Sequence, residues 1–318
     1  MAIGLRRHNR HFFSSTLALL ICFFCARQLL LIAYTEPNWQ SLAVKSLSQE
    51  TKIVFLGSSR FYYGIDPATV AEKSVSLNAN YLSASYMLKI YKTYEHQLPN
   101  LKAIVFEHSI STYLFDTAHV DPGGLKRLGV DFTPPLAEFF HAPKDSLKRL
   151  LFPIFHWRLT PFDIKNYRET LTNGDEIQNQ YPGFIPSKLT MNFPAELIPR
   201  EITKMKDLIQ SQPQKTLHRN TAAALELAQI AKDKDIEFFA IVPPRFIDKE
   251  YATLAEWDHF LSLQLEKLKE TNPHVHVFNA RTEVKFGSQK FRDPDHLNAS
   301  GAYEFSRILK NYLEFEGD

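Results

Sequence analysis

Short, nearly continuous apolar runs punctuate this chain at 53–56, 75–77, 103–106, 236–242 and 275–278. Runs of that length without a polar alternate are the pattern of strands buried on both faces. Longer segments between them carry apolar residues at helical spacing. In 83–98 these are Met87, Ile90, Tyr91 and Tyr94; 216–232 is alanine-rich at 222–224, and 252–270 is amphipathic. A last segment follows Asn298, with Ala302, Phe305, Ile308, Leu309, Tyr312 and Leu313 on one face. Asn298 is the expected cap of that helix, and Asp66 the cap of a short one through Glu72. Strands alternating with helices over short loops predict a parallel sheet. Right-handed crossovers then lead to a three-layer α/β/α fold whose five strands take the flavodoxin-like order 2-1-3-4-5.

Two segments depart from this rhythm. Residues 110–215 are rich in proline and aromatics and show no clean alternation or repeat. They are too long for a simple loop, so a helical and irregular insertion over the sheet's carboxyl edge is expected. The other departure is N-terminal. Arg6, Arg7 and Arg10 precede a largely apolar stretch over 12–34, interrupted at Arg27 and Gln28. Its length suits a bilayer, and Arg27 can snorkel toward an interface. It has no small-residue cleavage pattern, so the expectation is an uncleaved signal anchor. The expected organisation is a cytoplasmic 1–11, a transmembrane 12–34, a tether over 35–50 and one α/β domain over 51–318. Arginines before the span place that domain outside the cytoplasmic membrane, in the periplasm or its equivalent.

Composition narrows the class further. The 318 residues, 44% hydrophobic, are ample for one large domain with an insertion. A net charge of +2 gives no field that would favour nucleic acid. Cys22 and Cys25 both lie in the apolar N-terminal stretch, so the domain has neither a disulfide framework nor a cysteine zinc site. His274 and His276 alternate along a strand edge without carboxylate spacing, and no metal site is expected. No phosphate-cradling glycine loop appears, and no cofactor is expected.

The candidate chemistry sits at the two ends of the domain. The first strand runs into Gly57, Ser58 and Ser59, which places a hydroxyl at the carboxyl end of a central strand. Near the far end, Asp293 and His296 share a turn before the last helix. A serine hydroxyl is not ionised at neutral pH and needs a base; histidine titrates in the useful range, and a carboxylate orients its ring. Ser59, His296 and Asp293 are therefore a candidate nucleophile, base and orienting acid. Asp295 is a competing carboxylate, expected to face solvent. Arg60, after the candidate nucleophile, and Arg245, after the Pro243–Pro244 stop of the fourth strand, are candidate substrate-binding cations or structural ion-pair partners, Arg60 with Glu107.

These two motifs resemble the SGNH (GDSL-like) hydrolase superfamily over roughly residues 51–314. The similarity is nearest to its membrane-anchored branch, which includes the DltD protein of lipoteichoic acid D-alanylation and the alginate O-acetylation proteins. The α/β-hydrolase elbow fits less well, because Phe61 stands at its second glycine. The resemblance implies oxyanion donors from the Ser59 amide and the loops after the second and third strands. The first of those loops has no glycine but contains Asn78 and Asn80; the other has Glu107, His108 and Ser109 in place of Gly-x-Asn.

The implied function is an extracytoplasmic serine acyltransferase or esterase acting on O-acyl groups of a cell-envelope glycan or glycolipid. Two further classes stay open. One is a membrane-tethered esterase or lipase; the other is a catalytically silent SGNH-like partner of a glycan or of a membrane-bound acyltransferase.

Overall fold

Residues 39–115, 122–130, 214–246 and 254–313 are described in a computed structural model, with isolated positions between 203 and 211. The strands are β1 (Ile53–Leu56), β2 (Ser74–Ser76), β3 (Ala103–Glu107), β4 (Glu237–Val242) and β5 (Val275–Asn279). They form one all-parallel sheet in the expected order, β2-β1-β3-β4-β5. The order reverses between β1 and β3, and open α/β sheets bind ligands beyond the strand ends at such a reversal.

Every residue of β1 and β3 is buried. Alternate side chains of a strand point to opposite faces, and here they fill two separate cores. Val54, Leu56, Ile104, Phe106, Phe238 and Ala240 pack on one face, with Met87, Ile90 and Tyr91 of helix Ala84–Tyr94 and Leu227 of helix Gln214–Asp233. Ile53, Phe55, Val105, Phe239 and Ile241 pack on the other, against Phe61 and against Ala302, Phe305 and Leu309 of helix Ala299–Tyr312. The Asn298 side chain caps that helix by accepting the Gly301 N–H, and Asp66 caps helix Pro67–Val70 by accepting the Ala68 N–H.

One local expectation is corrected, and two regions gain detail. The second strand lies one residue earlier than the apolar pattern placed it, because Ser74 pairs with Ile53 and its hydroxyl is satisfied by the carbonyls of Pro67 and Ala71. The segment after Ser59 is a helix, Ser59–Gly64. Asp293 and His296 belong to a two-stranded antiparallel hairpin, β6 (Phe291–Asp293) and β7 (His296–Leu297), in which they are cross-strand partners.

The expected membrane span at 12–34 and most of the 110–215 insertion lie outside the described residues. Of the insertion, Ile110–Leu114 and Pro122–Arg127 are helical. No helix among the described residues is long and apolar enough to cross a membrane.

Candidate active site

The β1 turn is built by close approach. A Cβ on Gly57 would lie 2.5 Å from the ring of Phe61, which is itself fully buried, so only glycine allows the chain to fold back there. Ser58 follows as the helix N-cap, but its side chain makes no capping bond. Its N–H instead donates to Glu107 Oε2 at 2.6 Å and its hydroxyl donates to Oε1 at 2.9 Å. Glu107 ends β3 on the neighbouring strand and is completely buried. Ser109 Oγ donates to the same carboxylate at 2.7 Å and Arg60 Nη1 at 3.3 Å. A fully buried carboxylate is tolerable only with such a donor set. Glu107 thus fixes the residue before Ser59 from two atoms.

Ser59 is half-buried at the head of its helix, and its hydroxyl lies 2.8 Å from His296 Nε2. The two residues are 237 positions apart in sequence. His296 Nδ1 lies 2.7 Å and 2.9 Å from the two oxygens of Asp293. An acceptor at Nδ1 fixes the proton there and leaves the Nε2 lone pair for the Ser59 hydroxyl. The Asp293 carboxylate also accepts the N–H groups of Asp295 at 3.0 Å and His296 at 2.9 Å, so it is oriented by its own turn. Burial works to raise its pKa, but the His296 hydrogen bond and charge, the Asp295 amide and the Arg292 guanidinium together hold it below the ordinary value. The Tyr63 ring stands edge-on to the imidazole, centroids 5.4 Å apart.

Asp295 does not face solvent. Its side chain is 15% exposed and forms ion pairs with Arg245 and, at 3.8 Å, with Arg60 Nη2. Burial would raise its pKa, but those two guanidinium groups pull it well below the usual carboxylate range. Arg245, also stacked over Trp257 at 4.8 Å, is lowered to about 10 by burial against the pull of Asp295. Of the two readings offered for Arg60 and Arg245, the geometry supports the ion-pair one: both are largely buried and directed at protein carboxylates, Arg60 at Glu107 as expected.

The register of β1 and β2 puts Asn78 just past the carboxyl end of β2, on the edge that carries Ser59. Asn78 is fully buried and its amide nitrogen donates to Ser76 Oγ, while the Oδ1 atoms of Asn78 and Asn80 have no hydrogen-bond partner among the described residues. Among the described residues no hydrogen bond joins either asparagine to Ser59 or His296. The Ser59 amide, in the first helical turn without a side-chain cap, remains a candidate donor. No group of histidines, cysteines and carboxylates suited to a metal ion occurs among the described residues.

The chain was compared with protein-family models and with curated proteins, and none of either matches it.

The sequence pattern brought Ser59, Asp293 and His296 together. It did not identify Glu107 as the anchor of the Ser58 turn, or Tyr63 and Arg292 as neighbours of the imidazole. A glutamate ending an otherwise apolar central strand was the available signal for Glu107.

Proposed function

We propose that the chain is a membrane-anchored serine acyltransferase or esterase of SGNH type, acting outside the cytoplasm on O-acyl groups of a cell-envelope glycan or glycolipid. The observation that carries the reading is the unbroken hydrogen-bond path from Ser59 Oγ to His296 Nε2 at 2.8 Å and from Nδ1 to Asp293 at 2.7 Å. In this reading the Ser59 oxygen attacks the acyl carbonyl carbon while its proton passes to His296 Nε2. The tetrahedral oxyanion collapses with cleavage of the ester C–O bond, and His296 returns the proton to the departing alkoxide. The acyl-serine is then attacked by a hydroxyl whose proton goes to His296, and that proton restores Ser59 when its oxygen leaves. Water as the attacking hydroxyl gives hydrolysis; an acceptor hydroxyl gives transfer.

A second reading is a catalytically silent SGNH-like partner of a glycan or of a membrane-bound acyltransferase. It is favoured by the carboxyl end of β3, where the buried Glu107, His108 and Ser109 stand in place of the Gly-x-Asn that the resemblance implies.

A fluorophosphonate probe separates the two. The catalytic reading expects labelling of Ser59, lost in Ser59→Ala and reduced by about 10⁴-fold in His296→Ala, with the double variant no worse than the worse single one. Ser59→Ala should unfold at the wild-type urea midpoint within a few tenths of a molar, since the half-buried hydroxyl contributes little stability. A folded protein whose Ser59 resists the probe refutes the catalytic reading. Labelling at Ser58 in place of Ser59 would refute the assignment of the nucleophile.

A further inference from the structure

We propose that Arg292 is an anion-binding residue beside the triad, receiving a carboxylate or phosphate group carried by the molecule that approaches Ser59. That the bound molecule is a substrate rests on the acyl-serine reading above; the anion site itself does not.

The arginines around the site differ in what holds them. Arg60 Nη1 is bound to Glu107, Arg245 Nη2 to Asp295 and Arg281 Nη1 to Asp258, and their side chains are 7%, 13% and 5% exposed. Each therefore has a terminal nitrogen on a protein carboxylate. Arg292 is arranged differently. Its only ion pair among the described residues is through Nε, 3.4 Å from Asp293 Oδ2, and its guanidinium carbon lies 4.5 Å from the centroid of the Tyr63 ring. Neither of its Nη nitrogens has a hydrogen-bond or ion-pair partner among the described residues, and the side chain is 21% exposed.

A guanidinium in this state is preorganised for an anion. The ring beneath and the Nε contact at one corner restrict its rotamers, so less freedom is lost when a ligand binds. The unpaired edge presents two parallel N–H donors, whose spacing matches the two oxygens of a carboxylate or phosphate. Tyr63 also contacts the His296 imidazole, so the guanidinium is separated from the base by a single ring. Two of the carboxylates that would otherwise repel an anion here are paired with other cations, Glu107 with Arg60 and Asp295 with Arg245, and the third, Asp293, is held by the imidazole Nδ1 and faces only the Nε corner of Arg292.

The competing role is mechanical, in which Arg292 serves only to hold Asp293. That role affects the base but gives no preference between charged and neutral ligands, so binding selectivity decides. Saturation-transfer NMR on the full-length protein would compare galacturonate with galactose, and glycerol 3-phosphate with glycerol. The wild-type protein should prefer the anionic member of at least one pair by about tenfold or more, the scale of charge-assisted hydrogen bonds. Preference in the sugar pair alone indicates a carboxylate ligand, and in the glycerol pair alone a phosphate. Arg292→Gln should remove the preference while leaving the neutral ligands unchanged, and Arg292→Lys should keep only part of it.

Absence of anion preference in wild type in both pairs overturns the proposal, and so does a preference that persists in Arg292→Gln. Should the Gln variant fail to fold, full wild-type preference in the Lys variant is the overturning result. A retained preference in a protein whose Ser59 resists fluorophosphonate leaves the anion site standing and removes only the acyl-serine reading.

Discussion

Replacing Glu107 by alanine tests whether the Ser58 turn depends on a buried charge. The carboxylate is wholly buried and receives the Ser58 N–H at 2.6 Å, the Ser58 hydroxyl at 2.9 Å, the Ser109 hydroxyl at 2.7 Å and Arg60 Nη1 at 3.3 Å. Its removal leaves a guanidinium only 8% exposed without its nearest counter-charge. Breaking a buried pair from one side costs about 3–5 kcal/mol. Arg60 keeps Asp295 at 3.8 Å, which places the expectation at the lower end, about 3 kcal/mol. For a domain of this size that corresponds to a fall in Tm of about 6 °C or more. Urea unfolding followed by tryptophan fluorescence should show a lower midpoint at an unchanged m value. The double variant Arg60→Met with Glu107→Leu removes both charges and should be more stable than Glu107→Ala by at least about 1 kcal/mol. A Glu107→Ala midpoint within about 1 kcal/mol of wild type would refute the reasoning. A double variant as unstable as the sum of the single changes would refute it equally.

Gly57→Ala should destabilise by about 2 kcal/mol, because its Cβ would lie 2.5 Å from a Phe61 ring with no room to yield; a urea midpoint unchanged from wild type contradicts this. His108 is buried, with its ring nitrogens 2.8 Å from the Tyr113 hydroxyl and 3.0 Å from the Leu261 carbonyl, and burial lowers its pKa from 6.5 to about 4. The unfolded chain therefore takes up the proton first, so this contribution is complete above pH 6.5 and is lost as pH falls toward 4, about 3 kcal/mol in all. His108→Gln should flatten the stability profile across that window, and an unchanged slope would show that His108 is not its source.

How much the chain discloses depends on how local the determining interaction is. β1 and β3 are legible because all their residues are buried, and a strand buried on both faces leaves an uninterrupted apolar run. β2 is less legible: Ser74 looks like a strand boundary but is buried, and the carbonyls that satisfy it belong to Pro67, in the preceding helix, and Ala71, just past its end. Ser59, Asp293 and His296 could be singled out because their residue types and strand-end positions suffice. Asp295 could not be placed, since its burial depends on guanidinium groups from the ends of two other strands. Arg292 looks like any charged residue near a turn until the Tyr63 ring is found beneath it.

The position of His296 poses a physical problem that the hairpin alone does not solve. β6 and β7 hold three and two residues, and an isolated two-stranded ribbon of that size is not stable in water. The imidazole must therefore be held by contacts from outside the hairpin. From one side, the residues after β4 grip it: the Phe246 N–H donates to the Pro294 carbonyl at 3.1 Å, the Phe246 ring meets Phe291 edge-on at 5.8 Å, and Arg245 binds Asp295. From the other, Asn298 donates to the carbonyls of Gln289 at 2.7 Å and Phe291 at 3.4 Å while capping the last helix. Asp293 and His296 are thus suspended between the carboxyl end of β4 and the head of that helix. The helix packs through Phe305 and Leu309 on the same sheet face as Phe61, whose helix carries Ser59. The hydroxyl and the imidazole are referenced to one rigid core, and this allows a 2.8 Å contact between residues from opposite ends of the domain.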